Sequence, residues 1–399
     1  MKKKLLFVMN SMTCGGAEKS LISFLQTLDY SAYEVDLFLF KHEGLFMANI
    51  PEETNLLEAP ENYKYFDMPF KAALTQCLQK GEIASMTARL QLGALMRIEK
   101  NAARCEQRVW KYISKSIGKL EKKYDVAVGF LEKNPIYFIV DKVMADKKLG
   151  WIHTNYTNLG MDPVIDEPYF QKLDHIVTVS DECAKALQDN FQSQKEKIKV
   201  LYNIVSPPMI RQLAKRPLQA AMNNDRSCIN ITTVARLNYV KGIDFAVLAC
   251  KLLAREGYPV IWKVLGLGSE KETRECKALI EEHGLTDRFL LLGVTENPYP
   301  FIENADIYVQ PSRLEGKSIA VDEAKILRKP IVVTNFPTAK DQIDHERNGL
   351  IVAMNPEGIA EGIKRLLNEP GLMNTFSEQL AAEPLGTEAE VEKFYQLIS

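Results

Sequence analysis

The sequence of 399 residues contains no Asp-x-Asp, no His-Glu-x-x-His and no spaced Cys/His set, so it offers no recognisable divalent-metal site. It has no Gly-x-x-x-x-Gly-Lys-Ser/Thr loop, which argues against an ATPase, and no Gly-x-Ser-x-Gly elbow, which argues against a hydrolase. Its seven cysteines are odd in number, scattered and never paired as Cys-x-x-Cys, and they read as reduced, mostly buried thiols of a cytoplasmic protein. No stretch approaches the roughly 18 apolar residues that span a bilayer. Met1-Lys-Lys-Lys followed by Leu5–Met9 imitates a secretory signal, but the apolar run is five residues long and fits a buried first strand better. Net charge is -2, so nothing global argues for nucleic-acid binding.

What the sequence does have is alternation. Short β-branched runs take turns with longer amphipathic ones, as in parallel sheets crossed by helices. The expected strands of the first half are Lys4–Asn10, Glu34–Phe40, Asp125–Phe130, Leu149–His153, His175–Val179 and Ile198–Leu201. Those of the second half are Ile229–Val234, Val260–Leu265, Phe289–Leu292, Ile307–Gln310, Ile331–Thr334 and Gly349–Val352. Two doubly wound α/β domains follow, 1–205 and 227–372, with a Pro- and Asn-containing linker over 206–226 and a helical tail over 373–399. Such domains bind ligands beyond the carboxyl ends of their strands, in a cleft.

The segment 71–123 interrupts the first domain with twelve Lys/Arg against four Glu. Basic residues from Arg97 to Lys122 recur at spacings of three and four and are expected on one helical face. That face is either a solvated surface or an attachment point, for an anionic membrane on the inner side of the plasma membrane or for an acceptor carrying phosphate.

Chemistry concentrates at two places in the second half. Glu315 lies in a loop after Ile307–Gln310, and Glu323 lies in the helix that opens near Ser318. A carboxylate accepts several hydrogen bonds, so Glu323 suits vicinal ribose hydroxyls and Glu315 suits sugar hydroxyls. Between them, the amides of Ser318 and Ile319 at a helix N-terminus suit a diphosphate. Arg236 and Lys241 follow the strand Ile229–Val234 at its carboxyl end. Two cations in one turn can clamp a leaving diphosphate and stabilise charge that grows in the transition state. In the first half, Gly15-Gly16 after the first strand allows close backbone approach to a ligand, or makes a plain tight turn. His153 ends another strand and either bonds a sugar, shuttles a proton or is satisfied within its loop.

Taken together, Gly15-Gly16-Ala17-Glu18, Arg236 with Lys241-Gly242, Gly266-Leu-Gly268, Asn297-Pro-Tyr299, Glu315 with Glu323 and Asn348-Gly349-Leu350-Ile351 resemble family 4 of the glycosyltransferases. Trp151-Ile-His153 and Thr334–Asp341 look most like its members that build bacterial capsular or extracellular polysaccharide. The resemblance implies the GT-B fold, with two Rossmann-like domains facing a central cleft and a last helix that crosses back to the first domain. It implies a retaining transferase that uses a nucleotide diphosphate donor, a UDP-sugar, and a saccharide or lipid-linked saccharide acceptor, with no cofactor and no metal. By the same resemblance Arg236 and Lys241 bind the diphosphate, Glu323 the ribose and Glu315 the sugar. Gly15 and Gly16 sit near donor phosphate or acceptor, His153 near the sugar, and Val294 borders the base. Lys317 stands where the family often has an aromatic residue and adds a cation to the donor pocket. A nucleotide-sugar epimerase and a non-catalytic partner of another transferase are the alternatives on the same scaffold.

Overall fold

The computed structural model describes residues 2–13, 15–217, 227–295 and 297–399. They fall into two compact units, one of residues 2–13, 17–202 and 389–399, the other of 15–16 and the described residues between 203 and 388.

The first unit is built on a seven-stranded sheet of β1 (Lys3–Met9), β2 (Tyr33–Leu39), β3 (Asn55–Leu56), β4 (Lys123–Gly129), β5 (Met144–Ile152), β6 (His175–Thr178) and β7 (Ile198–Val200). The spatial order is β3-β2-β1-β4-β5-β6-β7 and the pairs are parallel. The second unit is built on β8 (Ile229–Val234), β9 (Val260–Leu265), β10 (Phe289–Gly293), β11 (Ile307–Gln310), β12 (Ile331–Thr334) and β13 (Leu350–Val352), in the order β10-β9-β8-β11-β12-β13. Each sheet grows outward from one strand and then reverses, at β1/β4 and at β8/β11. Loops leaving the carboxyl ends on the two sides of such a reversal diverge and open a crevice for ligands.

Central strands are apolar on both faces because helices cover both. Leu5, Leu6, Phe7, Val8 and Met9 are fully buried, as are Ile331, Val332 and Val333. All twelve strands expected from the sequence are present, with β5 starting at Met144, ahead of its expected Leu149. The additional strand, β3, is two residues long and leaves no periodicity to read.

Three expectations need correction. The linker 206–226 begins as a helix, Pro207–Ala214, whose Ile210 and Ala214 are buried in the second unit's core. The two prolines fit there because the first helical turn has no use for their missing N–H groups; residues 218–226 lie outside the described residues. The tail 373–399 is split. The helix Pro370–Ala382 buries Phe376 and Leu380 in the second unit, whereas Glu390–Ile398 packs on the first. Phe394 meets Phe24 edge-on at 4.9 Å and lies 6.1 Å from Phe7, an aromatic cluster that holds the last helix in place. Finally, Arg97–Lys122 is not one helical face. The helix Ile83–Ile98 ends, and Asn101 caps a new one, Ala102–Ile113, by accepting from the Arg104 amide at 3.0 Å. Lys115, Lys119 and Lys122 lie beyond both helices, and Lys122 is tied to Glu34 at 2.7 Å and Asp36 at 2.8 Å.

Candidate functional site

In the second unit the chemistry gathers at the β8/β11 reversal. After β8 the chain makes a single tight turn, Tyr239–Lys241, capped by Asn238, whose side chain accepts from the Lys241 amide. Gly242 then takes a left-handed φ of 64°, and a Cβ on it would meet the Pro311 carbonyl oxygen at 2.0 Å. The turn is thus pressed against the start of the loop after β11, closer than a side chain permits. Arg313 clamps the same two loops together. Its guanidinium bonds both oxygens of Asp244, at 2.8 and 2.6 Å, and lies over the rings of Tyr239 and Phe245 at 3.9 and 3.7 Å.

The clamp brings Lys241 Nζ within 2.5 Å of Glu315 Oε2. Glu315 is 7% exposed and Lys241 19%, so the pair is largely sheltered. The other Glu315 oxygen accepts from Ser312 Oγ at 2.7 Å and Gln310 Nε2 at 3.1 Å. A carboxylate has about four lone-pair positions; three donors leave little of Glu315 for sugar hydroxyls, and its plainest role is to hold Lys241. An ammonium has three N–H groups, of which Glu315 takes one. Arg236, five residues earlier, is exposed, and its side chain has no partner among the described residues.

Glu323 lies in the helix Ile319–Ile326, is 1% exposed and accepts from the Tyr299 hydroxyl at 3.0 Å. Ser318 is the N-cap of that helix. Its amide is not available to a phosphate as expected, because it donates to Gln342 Oε1 at 2.8 Å, while Gln342 Nε2 returns a bond to the Ser318 carbonyl. The Ile319 amide opens the first turn, where no intrahelical acceptor exists. Lys317 Nζ stands 3.9 Å from Asp322, on the same short stretch of chain. Val294 follows β10, two strands away from β8, beside Gly293, which turns with φ 74°. Gly266-Leu-Gly268 makes the passage from β9 into the helix Glu270–Glu282, capped by Ser269 and Glu272 acting reciprocally.

Gly15 and Gly16 follow β1, at the β1/β4 reversal of the first sheet, and Gly16 opens the helix Gly16–Thr27. Cys14, in the same loop, lies outside the described residues. His153 follows β5. Burial pushes its imidazole down to about 4, against the opposing pull of Glu132 and of a hydrogen bond to the Phe130 backbone. It is therefore neutral near pH 7, and its buried Nε2 has no partner among the described residues. A neutral imidazole whose other nitrogen donates to a carbonyl presents an acceptor there, which favours bonding a hydroxyl over shuttling a proton. Glu132, after β4, accepts from the His153 amide at 3.2 Å and Thr154 Oγ1 at 3.0 Å, and so fixes the His153 loop.

Sequence reasoning gave no role to Glu132, Gln310, Ser312, Gln342 or Tyr299, the last seen only within Asn297-Pro-Tyr299. Glu132, Gln342 and Tyr299 act through partners that only folding brings close, Tyr299 and Glu323 being 24 positions apart, whereas Gln310 and Ser312 act locally on Glu315.

The geometry of the second unit coincides with a sequence match. Residues 222–382 match the family Glycosyl transferases group 1. The matched domain thus contains Arg236, Lys241, Glu315 and Glu323 together. Among relatives, an uncharacterised glycosyltransferase of Methanocaldococcus jannaschii, MJ1059, is 29% identical over 177 residues, 44% of this chain and 43% of its own. The N-acetylgalactosamine-N,N'-diacetylbacillosaminyl-diphospho-undecaprenol 4-alpha-N-acetylgalactosaminyltransferase of Campylobacter jejuni is 26% identical over 212 residues, 53% of this chain and 55% of its own. The chain spans about half the length of the curated relatives it matches. Among solved structures, Anabaena Alr3699/HepE in complex with UDP and glucose covers 99% of this chain and 98% of its own, with a TM-score of 0.68 at 16% identity. That likeness, together with the two doubly wound sheets, establishes the fold as GT-B.

Proposed function

We propose that this protein is a retaining glycosyltransferase that moves a hexosyl group from a UDP-sugar to a saccharide or lipid-linked saccharide during synthesis of a cell-surface polysaccharide, in the cytoplasm and without a metal ion. The observation that carries the reading is the Lys241–Glu315 pair at the β8/β11 reversal, with Arg236 five residues before Lys241 and unpaired among the described residues. As the bond from the anomeric carbon to the diphosphate breaks, negative charge grows on the bridging oxygen. Two cations, Lys241 held in place by Glu315 and Arg236 free to close on the diphosphate, lower that charge's energy more in the transition state than in the bound donor, which is what raises turnover. Glu315 keeps Lys241 aimed while its own charge is shared with Ser312 and Gln310. Attack from the side the diphosphate leaves accounts for retention and asks for no protein nucleophile. Glu323 with Tyr299 is assigned to the ribose, Ile319 and Lys317 to the diphosphate, Val294 to the base, and Gly15, Gly16 and His153 to the sugar or acceptor.

Support for the substrate class comes from relatives. The Campylobacter relative's name specifies a diphospho-undecaprenol-linked acceptor, the Staphylococcus aureus relative is a poly(ribitol-phosphate) alpha-N-acetylglucosaminyltransferase, and an Erwinia amylovora relative serves amylovoran biosynthesis. Several neighbours in fold hold UDP or a UDP-sugar.

The test is a screen of UDP- and GDP-sugars, following release of the nucleoside diphosphate and the fate of the sugar by chromatography. The expected outcome is UDP release from one UDP-sugar, slow with water and faster with a polyprenol-linked or oligosaccharide acceptor. Conversion of the donor to another nucleotide sugar with no acceptor present contradicts the reading and identifies an epimerase. Absence of binding to every nucleotide identifies a non-catalytic partner.

A further inference from the structure

Of the large hydrophobic side chains exposed among the described residues, Phe70, Leu78, Ile83, Leu90, Met96 and Ile98 all fall within 29 consecutive positions. They belong to a hairpin of two helices, Phe70–Lys80 and Ile83–Ile98, which pack through small side chains, with Ala73, Cys77, Ser85 and Ala88 buried on the inner side. On the second helix Ile83, Thr87, Leu90, Ala94 and Ile98 recur at spacings of three and four, and all are exposed. Leu78 and Ile83 are 73% and 69% exposed on the two sides of the Gly81 turn, and Ile98 is 78% exposed at the far end.

A helix that merely faces water carries charge on its outer side. Between Ile83 and Met96 the one charged residue is Arg89, and it is turned away, with Nη2 bonded to the Met68 carbonyl at 3.0 Å and the guanidinium over the Phe70 ring. Cations gather at the two ends of the apolar strip: Lys80 at one, Arg97, Lys100 and Arg104 at the other. All four are exposed, and none makes an ion pair among the described residues. The two acids nearby are engaged, Glu82 by Asn62 at 3.2 Å and Glu99 by Arg108 at 2.9 Å.

We infer that this hairpin is the protein's docking surface for an anionic lipid bilayer. The helix Ile83–Ile98 has 16 residues and a length of about 24 Å, less than the ~30 Å of a hydrocarbon core, and no helix among the described residues is long and apolar enough to cross a membrane. It lies in the interface, with Ile83 and Leu90 sunk among acyl chains and the terminal cations at the phosphates. Charge complementarity selects this occupant: unpaired cations at both ends of an apolar strip match a surface that is apolar inside and negative at its rim. The inference stands apart from the transfer reading, since it uses no residue assigned to donor or acceptor.

Sedimentation of the full chain with vesicles tests it, using phosphatidylcholine alone and phosphatidylcholine mixed with phosphatidylglycerol. Binding is expected to the anionic vesicles and to weaken several-fold in high salt. Ile83→Asp with Leu90→Asp, and separately Arg97→Glu with Lys100→Glu, are each expected to cut partitioning by about tenfold or more. Unchanged thermal melting and unchanged nucleotide binding show that the variants are folded. No sedimentation of the wild-type chain at low salt, or variants that bind as well as wild type, overturns the assignment. A dimer in velocity sedimentation that Ile83→Asp with Leu90→Asp converts to monomer, with vesicle binding intact, gives the face to a second copy instead.

Discussion

Lys241→Ala is expected to slow sugar transfer by about 100-fold or more at saturating donor, the loss seen when one fixed transition-state contact is removed. The effect is electrostatic. Lys241 is sheltered and held 2.5 Å from Glu315, so its charge is already in place when the diphosphate begins to leave. Water replacing the ammonium would have to reorient during the reaction. The substitution has a second consequence, because it leaves the Glu315 carboxylate, 7% exposed, without its cation. Breaking one side of a buried pair costs about 3–5 kcal/mol, and the lower end applies here since Ser312 and Gln310 still donate to Glu315. Melting of the second unit should therefore fall, and the rate is to be measured well below the new transition. Glu315→Gln separates the two effects: it removes the partner and keeps the cation, and transfer should fall less than in Lys241→Ala. Unchanged turnover in folded Lys241→Ala would remove this residue from the mechanism.

Gly242→Ala is the second large effect, and it acts through the backbone. At φ 64° a side chain is strained, which costs about 1–3 kcal/mol. Here the new Cβ would also fall 2.0 Å from the Pro311 oxygen, so the turn after β8 and the loop after β11 must separate. Lys241 rides on the first and Glu315 on the second. Expected results are a loss of at least about 3 kcal/mol in the second unit and a fall in transfer rate together. Gly257→Ala is the control. Gly257 has φ 86° but no described residue within 4 Å of the added Cβ, so it should show the backbone strain alone and transfer at the wild-type rate. Loss of transfer in Gly257→Ala equal to that in Gly242→Ala would refute the argument that loop separation matters.

The sheets were legible because burial on both faces writes itself into sequence as short apolar runs; β11 and β12 are four residues each, and both were readable. Position along the chain was enough to place Lys241 and Glu315 at strand ends, and the β8/β11 pairing then explains why they meet. What they do to each other was not legible. Reading each residue alone suggested that Glu315 faced a sugar and Lys241 a phosphate, whereas folding pairs them. Ser318 failed for a similar reason, since its amide is taken by a side chain 24 positions later. The basic run from Arg97 misled because charge spacing cannot register an interruption by Asn101, whose side chain competes for backbone amides and starts a new helix. The apolar strip beside it was passed over, because exposure of Ile83 and Leu90 is a property of packing and not of sequence period.

The most direct measurement is a crystal structure of the protein with UDP. The account predicts the diphosphate at the carboxyl ends of β8 and β11, with Lys241 Nζ and the Arg236 guanidinium about 3 Å from its oxygens. A bound nucleotide from which both side chains point away would contradict it.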